Sequence, residues 1–166
     1  MACFNSGRSN CHGPYYPCPV CCCACGCNSN SVVNPVVEGS FAFFNLLTTA
    51  TVESGATIPV SLVLSGGTAI STTTLGEATL APGTYQVAYN VTSAIGTNET
   101  NSFGLTLNGA TIASSISTIT GTVGDAESVS NTVILSVSSA SVLRLANLGT
   151  ETVSVTRANI SIRKID

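Results

Sequence analysis

From about Phe41 onward the chain alternates apolar and polar positions with a period of two. Tyr85, Val87, Tyr89 and Val91 alternate with Gln86, Ala88 and Asn90. Phe103, Leu105 and Leu107 alternate with Gly104, Thr106 and Asn108, and Ala158, Ile160 and Ile162 with Arg157, Asn159, Ser161 and Arg163. Successive side chains of a strand point to opposite faces, so each run predicts a strand with one face on a core and the other on solvent or a partner. Val, Ile and Thr dominate these runs, which favours strands over helices. Turn signals recur at Gly66-Gly67, Leu75-Gly76, Pro82-Gly83, Asn108-Gly109, Gly121, Gly124-Asp125 and Leu148-Gly149. Asn108 and Gly109 both tolerate positive φ, which predicts a type I′ hairpin joining Phe103–Leu107 to Ala110–Ile116. The spacing predicts roughly eight to ten strands in an all-β sandwich or barrel. No helix, internal repeat or collagen-like Gly-X-Y run emerges.

Upstream of Phe41 the pattern vanishes. All eight cysteines lie there: Cys3, Cys11, Cys18, Cys21, Cys22, Cys23, Cys25 and Cys27. Pro14, Pro17, Pro19 and Pro35, four of the six prolines, lie in or just after the same stretch. Asn28-Ser29-Asn30-Ser31 reads as a polar linker. The expected division is an irregular Cys/Pro-rich arm over residues 1–40 and a self-assembly domain over residues 41–166.

Composition sharpens this picture. A chain of 166 residues suits one domain with a real core. Hydrophobic residues make up 44% and mean hydropathy is +0.43. Only 8% of residues are charged, against about 25% in ordinary soluble proteins. The surface is therefore either a neutral Ser/Thr coat or largely covered by other subunits. Net charge −3 and a pI near 4.9 leave no basic footprint for nucleic acid. No segment approaches the ~18 apolar residues of a membrane helix, and the N-terminus lacks the apolar run of a secretory signal.

Two stretches carry a family likeness. Ala81-Pro-Gly-Thr-Tyr-Gln-Val-Ala-Tyr-Asn-Val91 and Ser102-Phe-Gly-Leu-Thr-Leu-Asn-Gly-Ala-Thr-Ile112 resemble the central hairpin region of C1q/TNF-like jelly rolls. There a PGxYxxxxxV strand precedes one ending in LxLNGxxI. Val129–Val137, Ser141–Leu148 and Ala158–Ile165 are similar to the closing strands of that family. The resemblance covers most of residues 41–165. It implies a jelly roll whose last strand lies centrally in the inner sheet, and a trimeric association. The Ser/Thr-rich, charge-poor version is most similar to the bacterial spore-surface branch, found on exosporium filaments. This chain lacks the collagen stalk of those filaments and has the cysteine arm instead, which looks like the subunits of endospore appendages. The implied setting is the extracellular spore surface. The chain would be made without a signal peptide and exposed when the mother cell lyses, with copies of itself and a spore-coat or exosporium anchor protein as partners.

The cysteines admit several chemistries. Cys18-Pro19-Val20-Cys21 has metal-ligand spacing, and His12 is near in sequence. Structural zinc sites, however, place two separated pairs about a loop, and these cysteines crowd together. Acylation lacks an apolar or basic anchor beside them. Adjacent cysteines such as Cys21, Cys22 and Cys23 cannot all pair within one short chain, because a bridge needs Cα atoms about 4.4–6.8 Å apart with converging Cβ vectors. Between chains they can. Residues 41–166 contain no cysteine, so disulfides join arm to arm, or arm to another protein.

Other signals point to structure. His12 has no orienting partner in sequence for a base. Asp125 and Glu127 supply few of the six to eight oxygens calcium takes, so a solvated turn is the expectation. Sequons at Asn90, Asn98 and Asn159 count only in a eukaryotic secretory pathway. Tyr85, Tyr89 and Phe103 read as core or a trimer seam before a ligand-binding strip. With no catalytic triad, no phosphate loop and no tryptophan platform for sugars, the chain reads as non-enzymatic, without metal or cofactor. The leading function is a subunit of a disulfide-stapled fibre. The alternative is a trimeric binding head, lectin- or receptor-binding-like, tethered by its arm. Far-UV circular dichroism of the full chain should be β-dominated, and a dominant helical signature would end this reading.

Overall fold

The computed structural model describes residues 39–98 and 100–166. Two antiparallel sheets are formed. The first contains β1 (Phe41–Asn45), β3 (Ser61–Gly66), β6 (Gly83–Ala94), β10 (Ala126–Val137) and β12 (Val153–Lys164), in the order β10-β6-β12-β1-β3, with β2 (Ala50–Val52) paired to the start of β12. The second contains β4 (Ile70–Ser71), β5 (Glu77–Leu80), β7 (Thr100–Leu107), β8 (Ala110–Thr111) and β11 (Ser141–Asn147), in the order β4-β5-β11-β7-β8, with β9 (Ser117–Thr120) also on β7. The last strand lies at the centre of the first sheet, as the jelly-roll resemblance implied. Twelve strands exceed the eight to ten expected, because β2, β4 and β8 are pieces of two or three residues that leave no periodic signature. No α-helix occurs among the described residues, so none there could cross a membrane.

The core is the space between the sheets. Tyr85, Val87, Tyr89 and Val91 of β6 and Ala158, Ile160 and Ile162 of β12 are buried there, while Gln86, Arg157 and Arg163 are exposed. Phe44, Phe103, Leu105, Leu143 and Leu145 fill the same layer. Strand β7 departs from simple alternation, since Gly104 and Thr106 are buried along with Phe103 and Leu105. Gly104 is covered by Leu148, whose Cδ1 lies 2.7 Å from where a Cβ would stand, and by Ser115 and Ile116. A side chain at 104 would have to displace the end of Leu148.

The predicted hairpin is present. Asn108 (φ 51°) and Gly109 (φ 84°) turn the chain, and Leu107 pairs with Ala110. The returning strand is shorter than expected. After Thr111 it breaks into a 3-10 turn, Ala113–Ser115, and resumes on β7 as β9. Ser115 bridges the gap: its buried hydroxyl accepts the Leu105 N–H (2.8 Å) and donates to the Ile112 carbonyl (2.7 Å).

Two tyrosines bring hydroxyls into the apolar layer. Tyr89, in the first sheet, donates across the core to the Ser115 carbonyl (2.6 Å), with the Phe103 carbonyl 3.2 Å away. Tyr85 donates to the Ala81 carbonyl (2.7 Å). Burial pushes both phenols above their ordinary pKa; the Asp166 carboxylate adds to the rise at Tyr85, and a hydrogen bond with Ser117 partly opposes it at Tyr89. The native state thus favours the neutral phenol. That stabilisation is complete below the unfolded value of about 10 and is lost as pH rises through the higher native value. Denaturant unfolding should show stability falling above about pH 10, and Tyr89→Phe should flatten the fall. The same variant should lose about 1–3 kcal/mol at pH 7 by leaving a buried carbonyl without its donor. Val87→Asp places a carboxylate in the core and should unfold the domain or destabilise it by more than about 3 kcal/mol.

Candidate self-association surface

The strand registers define the outward face of the first sheet row by row. One row runs Ile134, Gln86, Arg163, Phe41, Gly66; the next runs Thr132, Ala88, Ser161, Phe43, Leu64. A third carries Ser130, Asn90, Asn159 and Asn45, and a fourth Ser128, Thr92 and Arg157. These rows carry hydroxyls and amides interspersed with the apolar Ile134, Phe41, Phe43, Leu64 and Ala88, with two arginines and no carboxylate. Cross-strand hydroxyl pairs stiffen it: Thr84 with Ser136 (3.1 Å) and Thr92 with Ser128 (2.7 Å). Ile134 stands 67% exposed, and Phe41 lays its ring on Gly66, where a Cβ would meet ring atoms. Five strands spaced about 4.8 Å and up to about 40 Å long give on the order of 700 Å², comparable with the ~800 Å² per partner of a standard interface.

At one margin of this face β3 is an edge strand. A register shift between Phe43 and Phe44 passes over Val63. Such a bulge breaks the in-out alternation, and Leu62, Val63 and Leu64 are all exposed, at 39%, 56% and 59%. Beside them lies a shallow groove of about 250 Å³, lined by Val60, Ser61, Leu62 and Thr72–Leu75. Leu75 adds another exposed apolar side chain.

Cys3, Cys11, Cys18, Cys21, Cys22, Cys23, Cys25, Cys27 and His12 lie outside the described residues. Asp125 sits at the turn into β10 and Glu127 within that strand, and no group of three or more His, Cys, Asp or Glu side chains able to hold a metal forms among the described residues. Tyr85, Tyr89 and Phe103 are core, not an exposed strip. Asn90 and Asn159 lie side by side mid-strand on the outward face.

Several structuring residues escaped the sequence reading. Asn147 is buried; its amide donates to the Glu151 carbonyl (2.7 Å) and lies 3.2 Å from the carbonyls of Val52 and Glu53, while its Oδ1 accepts the Gly149 N–H (3.0 Å). Glu77 faces Arg144 in register and accepts both its Nε (2.8 Å) and Nη2 (2.6 Å). Asn108, singled out for its turn, also accepts the Val142 N–H with its side chain (2.8 Å). An exposed-looking Asn or Ser in a loop gives no hint of such partners, because strand pairing decides them.

No protein-family model matches the chain, and no curated protein does. Solved structures do match. Eiger TNF from S. frugiperda gives a TM-score of 0.66 at 15% identity, covering 78% of this chain and 94% of that one. The globular domain of zebrafish complement 1qA protein gives 0.63 at 11% identity, covering 76% and 98%. Murine APRIL at pH 5.0 gives 0.61 at 9% identity, covering 76% and 99%. At these identities the likeness is one of fold: the C1q/TNF-like jelly roll.

If the outward face is an interface, positive charge placed on it should weaken association without harming the fold. Ile134→Lys with Ser161→Lys, measured by sedimentation of reduced full chain, should shift assemblies towards monomers. Stability should stay within about 0.5 kcal/mol, as for surface changes elsewhere. Unchanged assemblies, or monomers before any substitution, would speak against the face.

Proposed function

We propose that the protein is a structural subunit of a self-assembling, disulfide-stapled extracellular fibre or spore-surface appendage. The observation that carries this reading is the segregation of its chemistry. Every cysteine lies before residue 28, and none lies in the jelly roll. Covalent capacity and shape-specific capacity thus occupy different stretches of chain, as a stapled polymer requires. A charge-poor outward face lacks the usual defence against association, which supports self-assembly of the domain. The spore surface accounts for the many cysteines, since disulfides persist in oxidising surroundings. An anchor protein of the spore coat or exosporium is the natural partner at the base of such a fibre.

A second reading, a trimeric binding head tethered by its arm, is favoured by one observation. The jelly roll has the fold of Eiger TNF and of the complement 1qA globular domain. That likeness also supports a non-enzymatic role. The two readings part on the shape of the assembly, because a head closes on itself and a fibre does not.

Electron microscopy of purified protein should show filaments; discrete trimers alone would favour the head. Assemblies should survive boiling in detergent without reductant, and reductant with heat should release monomers. Serine at all eight cysteine positions should abolish that resistance while leaving the β spectrum intact. Free thiols binding stoichiometric zinc would overturn the stapled reading.

A further inference from the structure

The edge of β3 is the least defended part of the sandwich. The other sheet edges are the pieces β2, β4, β8 and β9, of two to four residues, or the hydroxyl-rich β10 with Glu127. Strand β3 has neither charge nor proline, and among the described residues nothing pairs with its outer side. Exposed apolar edges of this kind are templates for another strand. The groove beside it is smaller than the ~300–1,000 Å³ of small-molecule pockets and lies open along the strand, a form that suits side chains of a peptide.

We propose that this edge and groove receive residues 32–37 of a second copy of the chain, an inference that rests on the self-assembling reading above. Those residues are Val32, Val33, Asn34, Pro35, Val36 and Val37. They match the edge in lacking charge and in β-branched character. Pro35 fixes how they lie. It has no N–H, so in a paired strand it must face away from β3. By the period of two, Val32, Asn34 and Val36 then turn their N–H groups towards β3. Pro35 also leaves the new outer edge unable to accept a further strand in register, so addition stops at one.

The donor is a second copy because the tether is too short for the same one. Ser40 is held at the Gly66 end of β3: its carbonyl accepts the Lys164 N–H (2.8 Å) and its hydroxyl the Ala69 N–H (3.0 Å). Reaching the far side of β3 means crossing two strand spacings, about 10 Å, within the three steps from Val37 to Ser40. Those steps span about 11 Å when straight, which leaves nothing for the reversal. Segment-to-edge contact between copies is head-to-tail and does not close, which generates an open filament.

The test uses full-length chains with all eight cysteines replaced by serine. One population carries Leu64→Cys and the other Val36→Cys; they are mixed under mild oxidation and the products identified by mass spectrometry. Heterodimers linked 64 to 36 should exceed either homodimer by about tenfold, a preference within reach of strand addition. Leu62→Lys, and separately Val63→Lys, in the first population should remove the excess with the circular dichroism unchanged. A dominant 64–64 product would mean that two β3 edges pair with each other, and would overturn the proposal. So would statistical mixing, or a chain bearing both cysteines that closes on itself as a monomer. If the unaltered chain still forms reductant-sensitive multimers while the heterodimer fails, only the edge docking falls. If it forms none, the fibre reading falls as well.

Discussion

The pairing of β12 with β6 is the constraint on which the rest of the sandwich depends. Strand β12 comes from the far end of the domain, yet it lies between β6 and β1 and also holds β2. Its inward residues, Val155, Ala158, Ile160 and Ile162, are buried against the second sheet. Without it, β6 with β10 and β1 with β3 would be two separate ribbons, each with one apolar face uncovered. The architecture therefore closes through contacts between residues some seventy positions apart, the non-local regime in which folding is slow.

Polar atoms inside the sandwich set how its ends are shaped. Asn147 gathers the loops after β2 and β11 around one amide, Ser115 mends the break between β8 and β9, and Tyr89 ties that mend to the opposite sheet. Each replaces a ladder hydrogen bond that irregular backbone could not make, and a buried group left unpaired costs about 1–3 kcal/mol. Asn101 shows the opposite case. Its Nδ2 donates to Ser93 Oγ (3.0 Å) and to the Ala94 carbonyl (2.8 Å), while its buried Oδ1 has no partner. The Ala94 carbonyl can only accept, so it fixes the orientation of the amide.

What was legible in the sequence was whatever repeats along a single strand. The alternation at Tyr85–Val91 and Ala158–Ile162 identified both the strands and their buried faces, and Asn108-Gly109 identified the hairpin with its turn geometry. What was illegible depended on a neighbour. The burial of Gly104 comes from Leu148, Ser115 and Ile116, the break after Thr111 from Ser115, and the run of exposed residues at Leu62–Leu64 from a bulge against β1. The Glu77–Arg144 pair likewise exists only because β5 and β11 lie side by side. The candidate surface was legible as a shortage of charge and not as a place. Knowing which hydroxyls share a face required the registers of four strand pairs.

The same shortage of charge has a consequence for proteolysis. Residues 39–166 contain four basic residues, Arg144, Arg157, Arg163 and Lys164. All four lie in β11 and β12, two interior strands with neighbours along both edges. Nicking concentrates at exposed loop tips, and no loop of this domain offers a lysine or arginine. To cut within the sandwich, after Arg144, Arg157 or Arg163, a protease of trypsin's specificity must wait for the sheets themselves to open.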